Sequence, residues 1–134
     1  MKRLMLCLAT VWLSFSVAHA GNHGEPVELV GEVARAIFTT GIDDREPVDQ
    51  LDVIPAGLGS VYLFTDLRDF TGQRVLHRWM YNERVESEVG FNVGGPRWRT
   101  WSSKTIPASQ SGEWRVDIID GEGFIVESHY INAE

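Results

Sequence analysis

The sequence predicts an all-β fold, an antiparallel immunoglobulin-like β-sandwich of about seven or eight strands. Runs rich in β-branched and aromatic residues recur at about 8–12 residue spacing and are separated by glycine, proline and asparagine turn signals. After the first twenty residues, no stretch has a convincing helical period. Trp79, Trp98 and Trp114 each occupy an alternating position beside aliphatic residues, which is typical of core side chains in strands.

The predicted strands follow one another closely along the chain. The first covers residues 33–40 and ends at Gly41. Residues 42–59 then form a loop region with five acids and two prolines, where only 48–54 has strand-like composition. Acidic clusters of this kind are usually solvated surface. The later predicted strands are 60–67, 74–81, 84–93, 97–104, 113–120 and 124–132.

Alternation along these strands predicts which side chains face the core. In strand 84–93, one face carries Val85, Val89, Phe91 and Val93, and the other carries Glu86, Glu88 and Asn92. The predicted core of the sandwich is Val61, Leu63 or Phe64, Trp79, Val89, Phe91, Trp98, Trp114, Val116, Ile118 and Val126.

The first twenty residues have the pattern of a secretory signal peptide. A basic start is followed by an apolar run, residues 4–17, and by the small–x–small site Ala18-His19-Ala20. The apolar run is shorter than the roughly 20 residues that a bilayer span needs, so no transmembrane segment is expected after cleavage. The predicted organisation is a signal peptide, 1–20, a flexible lead-in, 21–32, and a single β-sandwich domain, 33–134. The predicted location is periplasmic or secreted.

Charge and cysteine content exclude several classes of function. Loss of Lys2 and Arg3 with the signal peptide leaves ten bases against nineteen acids, a formal charge of −9. Such a chain repels nucleic acid over most of its surface, so no nucleic-acid partner is expected. The single cysteine, Cys7, lies in the predicted signal peptide, so the mature domain has no disulfide or thiolate ligand. We expect no cofactor.

Cations and tryptophans concentrate in strand 97–104 of this acidic chain. Alternation predicts that Trp98, Thr100 and Ser102 point inward and that Arg97, Arg99, Trp101 and Ser103 point outward. An outward tryptophan can stack on a sugar ring, and guanidinium groups bind carboxylate or phosphate in a bidentate manner. The candidate binding residues are therefore Arg97, Arg99, Trp101, Lys104 and His77.

An alternative interpretation makes these cations structural. If the strand pairs with its predecessor through the 94–96 turn, Glu86 and Glu88 lie across from the arginines and neutralise them. Arg45 and Glu46 are likewise interpreted as a local ion pair at a strand entrance.

His77 shares a strand face with Trp79, and a buried neutral imidazole with a hydrogen-bond partner is the simplest interpretation. The alternative is a small hydrolase-like or metal-dependent enzyme that uses His77 with Asp66 and Ser102 or Ser103. Against it, the chain has no nucleophile elbow, paired-histidine zinc motif or nucleotide loop. We therefore predict no enzyme, no catalytic residue and no metal ligand.

Several short sequence motifs occur in the same order as in one bacterial family that the chain resembles. They are REPV at 45–48, FTDL at 64–67, HRW at 77–79, FNVGGPRWR at 91–99, WSSK at 101–104 and GEWRV at 112–116. Over roughly residues 33–131, the chain resembles the domain-of-unknown-function family 2914. The resemblance implies a bacterial envelope protein built on a small β domain, often a module of larger proteins. It implies no activity and carries over no catalytic residue.

The sequence favours a non-enzymatic binding or interaction module in the bacterial envelope. Its partner would be an envelope glycan, an anionic polymer or another envelope protein. A further alternative is a structural domain that joins larger complexes through a sheet edge.

Overall fold

A computed structural model describes residues 30–134, which contain ten β-strands and one short 3-10 helix, η1. The predictions for residues 1–29, including the signal peptide, lie outside the described residues. The elements are β1 (Glu32–Thr39), β2 (Ile42–Asp43), β3 (Glu46–Pro47), β4 (Val53–Ile54), β5 (Ser60–Arg68), β6 (Arg74–Tyr81), β7 (Arg84–Asn92), β8 (Arg97–Thr105), η1 (Ala108–Gln110), β9 (Gly112–Ile119) and β10 (Ile125–Ala133). No helix in this part of the chain is long and apolar enough to cross a membrane.

The strands form two packed sheets and a small hairpin. One sheet has the order β1-β5-β8, the other has the order β4-β10-β9-β6-β7, and β2 pairs with β3. All pairs are antiparallel except β4 with β10. Counting only the seven strands of eight or nine residues, the first, second and fifth form one sheet, and the third, fourth, sixth and seventh form the other.

This order is that of an immunoglobulin-like sandwich whose fourth strand pairs with its third. The predicted all-β sandwich is confirmed, but the described residues contain ten strands rather than seven or eight. The difference arises in the acidic region 42–59, which contributes three strands of two residues each, too short for an alternating pattern to be visible. Each of the seven long strands begins and ends within one residue of its predicted bounds.

Turn chemistry explains two of the hairpins. Asn82 and Glu83 connect β6 to β7 with φ values of 48° and 61°, and Asp44 and Arg45 connect β2 to β3 with 48° and 58°. Positive φ at both central residues is typical of type I′ turns, whose twist matches that of the flanking strands. Gly31 has φ of 101°, and a Cβ there would lie 2.8 Å from the Phe70 ring.

The core lies between the two sheets and contains two fully buried tryptophans, Trp79 and Trp114. Trp79 is on the third long strand, where immunoglobulin-like sandwiches carry a buried tryptophan, and the Phe38 ring meets it edge-on at 6.2 Å. The structure confirms the predicted core residues Val61, Leu63, Trp79, Trp114, Val116 and Ile118. Phe64 is also buried, but its alternating position places it on the outer face of β5.

Four other core predictions need correction. Trp98 is 37% exposed, because it is the second residue of β8, just after the chain has crossed between sheets, and its indole packs beside Gly94. Val89, Phe91 and Val126 are only partly buried.

The predicted inward face of β7 is wrong at Val85. Trp79 pairs with Ser87 and Met80 pairs with Val85, so Glu86 is an extra residue in a β-bulge. The bulge turns Val85 to the outer face, where it is 54% exposed.

The predicted alternative for β8 is also wrong, because β8 pairs with β5 and not with β7. The register runs without a shift from Ser60 opposite Thr105 to Arg68 opposite Arg97. Pairing between strands distant in the chain is not visible in local alternation. The acids of β7 therefore do not lie across from the β8 arginines.

Trp79→Ala should destabilise the domain by about 3–5 kcal/mol, because it empties a fully buried site and removes a hydrogen-bond donor from the core. The matched control is Trp98→Ala, which should cost about 1 kcal/mol or less at a partly exposed position. Urea denaturation of both variants measures the difference. Equal losses of stability would contradict the burial of these two residues described above.

Candidate binding site on the three-stranded sheet

The outer face of the three-stranded sheet holds most of the arginines that the sequence singled out. Alternation turns Phe64, Asp66 and Arg68 of β5 away from the core, beside Arg97, Arg99 and Trp101 of β8. Arg35 of β1 reaches the same surface, and Glu46 of the β2–β3 hairpin binds to it. We call Arg35, Glu46, Asp66, Arg68, Arg97 and Arg99 the arginine face.

Glu46 connects the hairpin to both edge strands of the sheet. Arg35 donates to its two carboxylate oxygens at 2.7 and 3.0 Å, and Arg99 donates to Oε1 at 2.7 Å. The hydrogen bond from Arg35, followed by that from Arg99, lowers the pKa of Glu46 to about 2. The predicted Arg45–Glu46 ion pair is therefore wrong, because Glu46 points toward the sheet while Arg45 lies in the hairpin turn.

Asp66 is the second acid of the arginine face, and its side chain is only 1% exposed. Arg35 approaches it to 3.3 Å, Arg68 to 3.1 Å and Arg97 to 3.5 Å. A buried carboxylate needs such partners, because an unpaired charge away from water is costly. Four guanidinium groups thus surround two carboxylates, which leaves an excess of positive charge on this surface.

An aromatic layer lies beneath the charges. The Phe64 ring is fully buried, with the Arg35 guanidinium 4.9 Å from its centroid and Trp101 opposite it in the neighbouring strand. A cation over an aromatic face gains electrostatic attraction from the ring quadrupole. Arg35 therefore contacts the Phe64 ring as well as the two acids.

A cleft of about 280 Å³ opens between the hairpin turn and β8. It is lined by Arg45, Arg97, Trp98, Arg99 and Trp101, with no acid among the lining residues. Arg97 is 53% exposed and has only the 3.5 Å contact to Asp66, so its donors remain accessible. Three guanidinium groups and two indoles can bind a carboxylate or phosphate and stack against the group that bears it.

The structure brings together three of the five predicted binding residues. Arg97, Arg99 and Trp101 line the cleft, whereas Lys104 lies on the opposite face of β8, paired with Val61. Arg45 and Trp98 line it but were not predicted as binding residues. Trp98 was assigned to the core by its alternation, and Arg45 is brought near β8 by a hairpin that has no sequence periodicity.

His77, the fifth predicted residue, is fully buried between the two sheets. Its Nδ1 lies 2.7 Å from Ser102 Oγ, and its Nε2 lies 3.1 Å from Thr65 Oγ1. Trp79 Nε1 donates to Ser102 Oγ at 2.9 Å, and Thr65 Oγ1 donates to the Thr100 carbonyl at 3.0 Å.

These contacts fix which group donates and which accepts at each step of one hydrogen-bond chain. The chain runs through five groups, Trp79, Ser102, His77, Thr65 and the Thr100 carbonyl. Because the Thr65 hydroxyl donates to a carbonyl, Thr65 Oγ1 accepts from Nε2–H of His77, and the unprotonated Nδ1 accepts from Ser102. Ser102 in turn accepts from Trp79. The chain links β6 of one sheet to β5 and β8 of the other, so its role in the fold is to join the sheets.

The other residues of the alternative catalytic set do not meet at His77. Asp66 and Ser103 lie on the outer faces of β5 and β8, and only Ser102 contacts the imidazole. Within residues 30–134, no group of three or more histidine, cysteine, aspartate or glutamate side chains is arranged to hold a metal ion.

Residues 72–130 match the family model described as Protein of unknown function (DUF2914). The matched segment begins just before β6 and ends within β10, so it covers most of the five-stranded sheet and all of β8. This match confirms the predicted family over residues 72–130, whereas the predicted resemblance began near residue 33. No curated protein matches the chain.

Acid should destabilise the domain through His77. Burial, with a smaller contribution from nearby His129, lowers the pKa of His77 to about 3, compared with about 6.5 in the unfolded chain. Below pH 6.5 the unfolded chain binds a proton that the folded domain does not, so stability falls as the pH falls toward 3. Between pH 6.5 and 5 we expect a loss of about 1–2 kcal/mol from this residue, in a range where carboxylates titrate little.

Urea denaturation of the wild type and of His77→Gln at both pH values measures the effect, because the variant lacks this titration but keeps His129. The comparison uses the pH dependence of each protein and not its absolute stability. NMR of the His77 ring gives a second readout. An imidazole that takes up its proton near pH 6.5 in the folded protein would contradict the prediction.

Proposed function

Residues 72–130 match the DUF2914 family of proteins of unknown function, and from the surface of the domain we propose that it is a non-enzymatic binding module. It holds an anionic partner in the bacterial envelope. The partner presents carboxylate or phosphate groups, on a glycan, an anionic polymer or another protein. The observation behind the proposal is the acid-free cleft between Arg45, Arg97 and Arg99.

The charge of this cleft is opposite to that of the chain as a whole. The full sequence has a formal net charge of −7, yet three arginines converge here. Arg99 is oriented by Glu46 before any ligand arrives, which lowers the entropic cost of binding. Arg97 and Arg45 supply accessible donors, and the two indoles supply rigid contact area of the kind enriched in binding surfaces.

The proposed location depends on the sequence of the first twenty residues. Their basic start, short apolar run and Ala18-His19-Ala20 site have the pattern of a secretory signal peptide. The absence of cysteine after residue 7 is compatible with an oxidising compartment, because no thiol would remain to be oxidised.

The one observation that favours an enzyme is the 2.7 Å contact between His77 and Ser102. A serine nucleophile activated by histidine needs access to substrate and a third group that orients the base. His77 is fully buried, and its second nitrogen contacts the hydroxyl of Thr65, not a carboxylate. The support is therefore stronger for binding on the outer face.

Arg45→Ala combined with Arg97→Ala should reduce co-sedimentation with isolated bacterial envelopes by at least about ten-fold, because arginine anchors often contribute 2 kcal/mol or more to binding. Arg84→Ala is the matched control, since Arg84 is an exposed cation at the start of β7 in the other sheet. Added salt should weaken wild-type binding.

Thermal melting of each variant shows whether the fold is kept. The proposal fails if the double variant folds and still sediments like the wild type, or if Arg84→Ala causes an equal loss.

A further inference from the structure

The free edge of β8 is the least protected strand edge among the described residues. The two sheets end in four edge strands, β1, β8, β4 and β7. β1 has a bulge between Val33 and Arg35, β7 has the bulge at Glu86, and β4 is only two residues long. β8 pairs all nine of its residues with β5 without a register shift, and it contains no proline.

Exposed edges normally carry bulges, prolines, short strands or charged side chains, because their unpaired N–H and C=O groups can pair with another chain. Three of the four edges of this domain carry a bulge or are short, whereas β8 has only its charged side chains. Within residues 30–134 no strand pairs with the second side of β8, so every other residue of β8 directs its N–H and C=O away from the sheet. An edge of this length and regularity is suited to accept an added strand.

The side chains beside this edge determine what kind of strand fits. Arg97, Arg99 and Trp101 follow one another at every second position on the outer face, and all three line the cleft. Pairing of β8 with β8 of a second copy would add the partner's arginines to the same face and would bring them no acid, because β8 contains none. A strand with acids at every second position would instead face the arginines with opposite charge.

We propose that β8 receives an extended acidic segment of a partner protein as an additional strand of the β1-β5-β8 sheet. Acidic side chains at positions i and i+2 of the segment lie beside Arg97 and Arg99. Main-chain hydrogen bonds supply affinity, and the alternating side chains supply specificity. This inference rests on the proposed binding function and names the class of its partner.

Binding of peptides to the purified domain tests the inference. The first probe is a nine-residue peptide, equal to β8 in length, that alternates glutamate with threonine. A second peptide has the same composition with its glutamates grouped at consecutive positions. Two further peptides keep the first sequence but carry backbone N-methyl groups on the odd or on the even residues. The alternating peptide should bind at least about ten-fold more tightly than the grouped one, and at least one N-methylated peptide should lose about ten-fold in affinity.

Exchanging charges between β8 and the peptide tests whether the peptide binds along β8. Arg97→Glu should weaken binding of the alternating glutamate peptide. Replacing one peptide glutamate by lysine, at each position in turn, should restore binding to this variant at one of the positions. Arg84→Glu, at the start of β7, is the control and should change nothing. Equal affinity of all four peptides overturns strand addition and leaves attraction by charge alone.

A uronic-acid oligosaccharide separates this inference from the proposed function. If it binds the wild type but not the Arg45→Ala, Arg97→Ala double variant, and the alternating peptide does not bind, the cleft is a glycan site and strand addition is wrong. If neither probe binds, both proposals fail. Binding of the alternating peptide with loss on N-methylation supports both.

Discussion

Asp66 is the buried charge on which the outer face of the three-stranded sheet depends. Its carboxylate is almost fully removed from water, so it requires cationic partners, and Arg35, Arg68 and Arg97 lie within 3.5 Å of it. Three arginines therefore contact this one carboxylate. Asp66 carries one negative charge and the three arginines carry three positive charges, so a net positive charge faces the solvent here.

The polar residues of the sandwich divide into an inner and an outer group with different properties. The inner group is neutral, and each side-chain donor of the Trp79–Ser102–His77–Thr65 chain has an acceptor. The outer group is charged and only partly satisfied, since Asp66 Oδ1 lacks a hydrogen bond of good geometry although Arg68 Nε lies 3.1 Å away. Satisfied networks inside a core make a fold rigid, whereas accessible cations outside it can bind.

Local patterns in the sequence are sufficient to predict where the strands lie but not which strands pair with each other. Alternation and turn residues give every long strand within one residue, because both are properties of neighbouring positions. The sheet in which β8 lies, and the bulge that exposes Val85, depend on contacts distant in the chain. Local alternation therefore predicts that Arg97, Arg99 and Trp101 share one outward face. It does not predict Arg45 as part of the site, since only the folded hairpin brings Arg45 beside β8.

The central claim is that the Arg45, Arg97 and Arg99 cleft is an anion site built on an otherwise acidic domain. The most direct measurement is an NMR titration with malonate, a small dicarboxylate, that follows the arginine Nε–Hε and tryptophan indole signals. The account predicts saturable shifts at the three arginines and at Trp98 and Trp101, with Arg84 and the buried Trp114 indole unchanged. Shifts that do not saturate, or that are equally large at Arg84, would contradict it.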